Sequence, residues 1–136
     1  MTADLSGPDL NRAIAEAMGW RGLVLRGHAA GRAWWGYLPR RTVRAGKYPV
    51  PDFERSLDAQ RDGPWKMLHE AGYLMGQAQY VVNAPPLVRY QYWWADWRYT
   101  QTRIGDRAGE EDARTAALST LAALLAMNAA KEVVHG

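Results

Sequence analysis

An alanine- and leucine-rich stretch near the C-terminus most constrains the fold. Residues 116–127 are apolar apart from Ser119 and Thr120. A surface helix carries polar residues along one side, whereas a helix that is apolar nearly all round is buried. The stretch is also too short to span a bilayer. We therefore predict a buried helix over about 109–133, packed between two surfaces, of which the second is another copy of the chain.

The N-terminal region predicts a shorter helix over residues 6–20. Five apolar residues recur at spacings of three and four and form one stripe: Leu10, Ala13, Ile14, Ala17 and Met18. Ser6 and Asp9 have the spacing of a capping box. Gly19 stands where a left-handed residue ends a helix, and Trp20 can fold back onto the last turn.

Residues 22–38 predict a β-hairpin with a glycine-containing turn at 27–31. Successive side chains of a strand point to opposite faces. Trp35 should therefore share a face with Tyr37, and Trp34 should lie on the other face. Only one of these faces needs to belong to the core.

The remaining chain predicts a loop, an interrupted helix and further strands. Residues 39–51 contain three prolines and should form a loop. Helical pattern resumes after Phe53 and is kinked or restarted at 62–64. A strand follows at about 77–82, and 87–104 have the strongest strand composition, with a turn at 95–96.

The order of helices and strands predicts one α+β domain over residues 1–136. We expect a mixed or antiparallel sheet of four to five strands sandwiched by helices, with the buried C-terminal helix central to packing. This sheet should contain both 33–38 and 87–104.

A one-signed charge pattern provides the main functional indication. Between Glu16 and Asp52 there are seven basic residues and no acidic one, so 17–51 carry +7 and the rest of the chain, with ten basic and fourteen acidic residues, carries −4. Five large aromatic residues are interspersed. Positive charge attracts anions, and aromatic faces stack on planar rings. The alternative is a solvated basic rim over core aromatics.

This pattern predicts a site for an anionic ligand with a planar part. Arginine forks pair with phosphates, and tryptophan stacks on a base. The predicted contacts in the basic segment are Trp34, Trp35, Arg40, Arg41, Arg44, Lys47 and Tyr48. The predicted contacts in the second aromatic stretch are Arg89, Trp93 and Arg98.

The sequence gives little support for a metal site or for catalysis. The chain has no cysteine, and its three histidines (His28, His69 and His135) are far apart without carboxylates at ligand spacing. We predict no metal, no cofactor, no catalytic residue and no enzymatic activity. The N-terminus lacks the pattern of a secretory signal, so we expect a cytoplasmic protein without a membrane partner.

Four features resemble the phage alpha-beta-alpha sandwich domain family, close to the NinX-like small phage proteins. They are the amphipathic start that ends in Gly19-Trp20, the segment 50–59 with its Pro-Asp-Phe and Ser-Leu-Asp, the later tryptophan-containing hairpin and the Ala/Leu-rich ending. Residues 77–104 are longer than the family pattern, and two residues separate Phe53 from Ser56. The resemblance implies a phage or prophage origin and supplies no catalytic residue.

Together these observations predict a phage accessory protein of the cytoplasm of an infected bacterial host. It would bind a nucleotide-like anion without turnover and sequester a host immune signal, as an anti-defence homo-oligomer. Two alternatives stay open. The protein could inhibit a host defence protein by docking on it directly, or it could bind nucleic acid as an accessory protein.

Overall fold

The computed structural model describes residues 5–28, 31–39, 43–84 and 88–135. Its fold is α+β. The helices are α1 (Gly7–Met18), α2 (Leu57–Gln60), α3 (Lys66–Glu70) and α4 (Asp112–His135). A π-helical turn at Arg61–Trp65 joins α2 to α3, and a 3-10 turn spans Val43–Ala45. The strands are β1 (Arg21–His28), β2 (Gly31–Tyr37), β3 (Tyr48–Pro49), β4 (Leu74–Ala84), β5 (Val88–Tyr99) and β6 (Thr102–Gly109).

Within the described ranges, the strands form two antiparallel sheets of three strands each. Sheet A has the order β1-β2-β3, and sheet B has the order β4-β5-β6. The predicted single sheet of four to five strands that contains both 33–38 and 87–104 is therefore wrong. One physical reason is the shortness of β3, which pairs with β2 through only Tyr48 and Pro49. Pro51 follows almost at once, and a proline has no N–H with which to extend a ladder.

Helices cover the two sheets separately. Helix α1 packs against β2 of sheet A, whereas α4 packs against β5 and β6 of sheet B. The two helices also pack against each other, so the helix pair joins the sheets. Each sheet thus buries one face without needing the other sheet as a partner.

The C-terminal helix is buried along much of its length. Its side chains with 2% exposure or less are Ala116, Ala117, Ser119, Thr120, Ala123 and Leu124. Sheet B and α1 both pack against α4 and belong to the same chain. This burial therefore does not itself require the predicted second copy. Leu125 is 55% exposed and stands apart from the buried residues.

Helix α1 ends as the sequence predicts but begins differently. Gly19 has φ 105°, a conformation that favours glycine, and its N–H donates to the Glu16 carbonyl oxygen at 3.0 Å. The Trp20 N–H donates to the Ala15 carbonyl oxygen at 3.0 Å, which completes a Schellman motif. At the N-terminus Ser6 makes no side-chain cap bond; instead the Glu54 carboxylate accepts from the Gly7 N–H.

The predicted hairpin turn at 95–96 is wrong. Ala95 and Asp96 are buried in the middle of the twelve-residue strand β5, and β6 bulges opposite them. The chain reverses four residues later, between Tyr99 and Thr102, where Thr100 has φ 55°. Asp96 gives a turn-like sequence signal, but it serves as an ion-pair partner within the sheet.

Candidate functional site

Strand β2 presents its two tryptophans to opposite faces of sheet A, as strand alternation predicts. Trp34 packs against the hydrophobic core, whereas Trp35 is half-buried and is not among the hydrophobic residues packed on the core. Leu25 pairs with Trp34 and Val24 pairs with Trp35. We call the face that carries Val24 and Trp35 the outer face of sheet A. One small ligand cannot contact both tryptophan rings directly, because the sheet separates them.

The inner face of sheet A borders a small cavity of about 310 Å³. Trp34 forms part of its wall, together with residues of the first turn of α1 and of segment 50–55. The Arg12 guanidinium lies 4.3 Å from the Trp34 ring centroid. The Trp34 Nε1 is buried and has no hydrogen-bond partner among the described residues.

The charges around this cavity are balanced. Arg32 and Arg55 line it, but so do the carboxylates of Asp52 and Glu54. Asn11 ties these acidic residues to α1: its Nδ2 donates to Asp52 Oδ1 at 3.1 Å, and its Oδ1 accepts from the Glu54 N–H at 2.9 Å. An anion would lie near two carboxylates here, so the cavity is poorly suited to the predicted anionic ligand.

The outer face of sheet A has a different electrostatic character. The Arg26 guanidinium lies 5.0 Å from the Trp35 ring centroid, and the Lys47 ammonium lies 5.2 Å from the Tyr37 ring centroid. These distances are within the range of cation–π interactions. Among the described residues no carboxylate forms an ion pair with Arg26 or Lys47. Both cations therefore retain charge that an anionic ligand can use.

Arg26 and Tyr37 belong to the basic segment but not to the predicted contacts. The sequence contains a signal for them, because Tyr37 is two residues from Trp35 and alternation gives both the same face. Arg26 cannot be assigned to this face from alternation along β2, because its position beside Trp35 depends on the register of β1 against β2. That register pairs Arg26 with Ala33, the residue two positions before Trp35.

The other predicted contacts of the basic segment are Arg40, Arg41, Arg44 and Tyr48. Arg40 and Arg41 lie outside the described residues. Arg44 is exposed on the 3-10 turn three residues before Lys47. Tyr48 is 45% exposed on β3 and pairs with Gly36, which places it on the Trp34 side of the sheet.

The predicted contacts from the second aromatic stretch lie on sheet B. Arg89 on β5 pairs with Asn83 on β4. Trp93 alternates with Ala95 and Trp97 and thus shares the face that packs on α4, whereas Arg98 lies on the opposite face. Trp34, Trp35, Trp93 and Arg98 therefore lie on four different sheet faces rather than together on one.

The face of sheet B opposite α4, which we call its outer face, carries an ion-pair network. Asp96 Oδ2 lies 2.5 Å from Arg103 Nε and 3.6 Å from Arg98 Nε. Asp106 lies 3.8 Å from Arg103 and accepts a hydrogen bond from the Trp94 indole. The hydrogen bond to Asp96 raises the pKa of Arg103, so this guanidinium stays charged. Because the two carboxylates offset the two arginines, this face offers less free positive charge than the outer face of sheet A.

Two other classes of site find no support in the described part of the chain. No group of three or more histidines and carboxylates there is arranged to hold a metal ion. None of the helices, as far as the structure describes them, is long and apolar enough to cross a membrane.

Comparison with known proteins finds no family model that matches this chain, and no match among characterised proteins or solved structures. The resemblance to the phage alpha-beta-alpha sandwich family stays a prediction.

Proposed function

We propose that the protein binds an anionic, nucleotide-like ligand without turnover on the outer face of sheet A. One observation carries the proposal: Arg26 lies over Trp35 and Lys47 lies over Tyr37, with no carboxylate paired to either cation among the described residues. Each pair combines a ring that can contact a base with a cation that can contact a phosphate.

The stacked arrangement also favours binding energetically. A long side chain loses rotamer freedom when it grips a ligand, which costs about 0.5–1.5 kcal/mol for each immobilised side chain. Arg26 and Lys47 already lie against aromatic rings. Because part of their rotamer freedom is lost before a ligand binds, the entropy lost on binding is smaller. Arginine can in addition use its flat face for stacking and its edge for a phosphate at the same time.

The outer face of sheet A carries Val24, Arg26, Ala33, Trp35 and Tyr37, with Lys47 reaching over the last ring. These rings and cations provide contacts for a ligand, and binding without turnover is the role that such contacts support. The biological role we propose, sequestration of a host immune signal by a phage accessory protein in an infected bacterium, rests on the family resemblance.

Calorimetry with a panel of linear and cyclic nucleotides tests the proposed function. We expect at least one nucleotide to bind the wild-type protein. Arg26→Ala should weaken that binding roughly 10- to 100-fold, the value of one charge-assisted hydrogen bond. Arg32→Ala is the matched control, because Arg32 is an exposed arginine of the same hairpin on the other face.

The outcomes separate the remaining alternatives. Loss of binding in Arg32→Ala but not in Arg26→Ala would move the ligand to the cavity beside Trp34. No binding by any nucleotide would reject the proposal and favour direct docking on a host defence protein.

Self-association is a further part of the proposal. Leu125 is 55% exposed and lines a groove between α1 and α4 together with Leu121 and Ala17. Light scattering should give at least twice the 15.3 kDa of one chain. Leu125→Glu should reduce this mass, whereas Leu74→Glu, at an exposed leucine of β4, should not. A wild-type mass of one chain at micromolar concentration would reject self-association.

A further inference from the structure

We propose that the ligand of the outer face carries two nucleotide units, one for each ring–cation pair; this inference rests on the proposed function. The site itself is a repeat. Trp35 with Arg26 and Tyr37 with Lys47 are two units of the same kind, two residues apart on one strand. A repeated site fits a ligand with a repeated base and phosphate better than it fits a single nucleotide.

The spacing of the two units selects the conformation of the ligand. Residues i and i+2 of a strand are about 6.6–6.8 Å apart. Bases stacked in one strand of a duplex are about 3.4 Å apart, half of that distance. Two adjacent bases can therefore each meet one ring–cation unit only when they are separated from each other. Single strands and cyclic dinucleotides can present separated bases, whereas a duplex keeps its bases stacked.

Local backbone geometry holds the second unit in place. Gly22 on β1 has φ +59°, and a Cβ there would lie 3.0 Å from two carbon atoms of the Tyr37 ring. The ring thus lies against the glycine backbone, and the Lys47 side chain passes within 3.8 Å of the same Cβ position. The Tyr37–Lys47 unit is consequently a packed part of the sheet surface.

Cyclic dinucleotides and single-stranded nucleic acid both offer two bases with their phosphates. Binding measurements with a series of five probes distinguish them. The probes are a nucleoside monophosphate, a nucleoside 3′,5′-bisphosphate, a linear dinucleotide, a cyclic dinucleotide and a 12-nucleotide single strand with the same base. Binding is followed by tryptophan fluorescence at constant salt. The bisphosphate is the control for charge, because it carries two phosphates on one base.

We expect both dinucleotides or the strand to bind about tenfold or more tightly than the bisphosphate, because a second stacked base adds roughly that factor. Preference for the cyclic dinucleotide identifies a signal-type ligand. Preference for the 12-nucleotide strand, with a log–log salt slope of about −0.7 for each phosphate contacted, identifies nucleic acid. Either preference supports the two-unit site.

Two variants test whether the Tyr37–Lys47 unit contacts the second base of the ligand. Tyr37→Ala should reduce the affinity for the preferred two-base ligand to that of the bisphosphate and leave the bisphosphate affinity within about threefold. Tyr48→Ala is the matched control, since Tyr48 is exposed on the other face of sheet A. If Tyr37→Ala fails to fold, Lys47→Gln tests the same unit with the ring intact.

The outcomes distinguish this inference from the proposed function. Equal affinities for all five probes would overturn the two-unit site and leave the proposed function standing. A two-base preference that survives both the Tyr37 and Lys47 changes would also overturn it. Absence of binding by every probe would reject both proposals.

Discussion

The Thr120 hydroxyl of α4 accepts a hydrogen bond from the Trp65 indole, with 3.0 Å between Oγ1 and Nε1. The Trp97 indole of β5 donates to the same oxygen at 3.3 Å. Trp65 and Trp97 meet edge to face, with ring centroids 6.4 Å apart. One buried hydroxyl therefore satisfies two buried indole N–H groups and links the π-helical turn, sheet B and α4.

Thr120→Val tests this link because valine keeps the shape of threonine and removes the oxygen. Two buried donors would lose their acceptor, and each unsatisfied group costs about 1–3 kcal/mol. We expect the free energy of unfolding, measured in urea, to fall by roughly 2–6 kcal/mol. Thr120→Ser keeps the hydroxyl and should cost only about 1 kcal/mol for the lost methyl group. Equal losses in the two variants would contradict this account.

Gln60 makes a second buried polar connection. It is fully buried, and its Nε2 donates to the Phe53 carbonyl oxygen at 2.7 Å and to the Ala113 carbonyl oxygen at 2.8 Å. Gln60→Leu should leave both carbonyls without this donor and lower the free energy of unfolding by about 2–3 kcal/mol in urea. Gln77→Leu, at an exposed amide of β4, should change it by less than about 0.5 kcal/mol. A similar loss at both positions would point to leucine itself as the cause.

Tyr73 should make stability sensitive to alkaline pH. Burial raises its pKa above 10.0, and the neighbouring Tyr99, whose ring centroid is 4.6 Å away, raises it further. Because the folded pKa exceeds the unfolded value, the contribution of this group is fully present below about pH 10 and declines as pH rises through the folded pKa. Tyr73→Phe should flatten the decline of unfolding free energy above about pH 10 relative to the wild-type protein. An unchanged slope in Tyr73→Phe would contradict the assignment.

Local sequence signals predicted individual elements better than their pairing. The αL glycine and the Trp20 contact fixed the end of α1, because these are interactions within a few residues. The division into two sheets depends on which helix covers which strand, and no local pattern reports that choice. The misplaced turn has the same origin: Ala95-Asp96 looks like a turn locally, but Arg103 from the next strand provides the partner for the carboxylate.

The residues of the candidate site likewise depend on strand pairing, which local sequence patterns do not report. Alternation along β2 separates Trp34 from Trp35 and joins Trp35 to Tyr37, and this was available from the sequence. The cations over these rings come from β1 and from the residue before β3. The positions of Arg26 and Lys47 depend on strand register. The number of charges in the basic segment gives no information about that register. Composition therefore indicates the basic segment, whereas the residues of the proposed site within it follow from strand register.

Gly22→Ala separates the position of the Tyr37 ring from general backbone strain. Alanine at φ +59° is strained, and its Cβ would press on the Tyr37 ring at 3.0 Å. Gly7 is the matched control, because it has φ +58° and nothing lies within 4 Å of its Cβ position. Both alanine variants should lose about 1–2 kcal/mol of unfolding free energy to the positive φ, and Gly22→Ala should lose more because its Cβ also presses on the Tyr37 ring. Only Gly22→Ala should also weaken nucleotide binding, by roughly fivefold or more, because only there does the added methyl group displace a ring of the binding face. Equal binding in the two variants, measured by tryptophan fluorescence, would show that the position of the Tyr37 ring does not matter for the ligand.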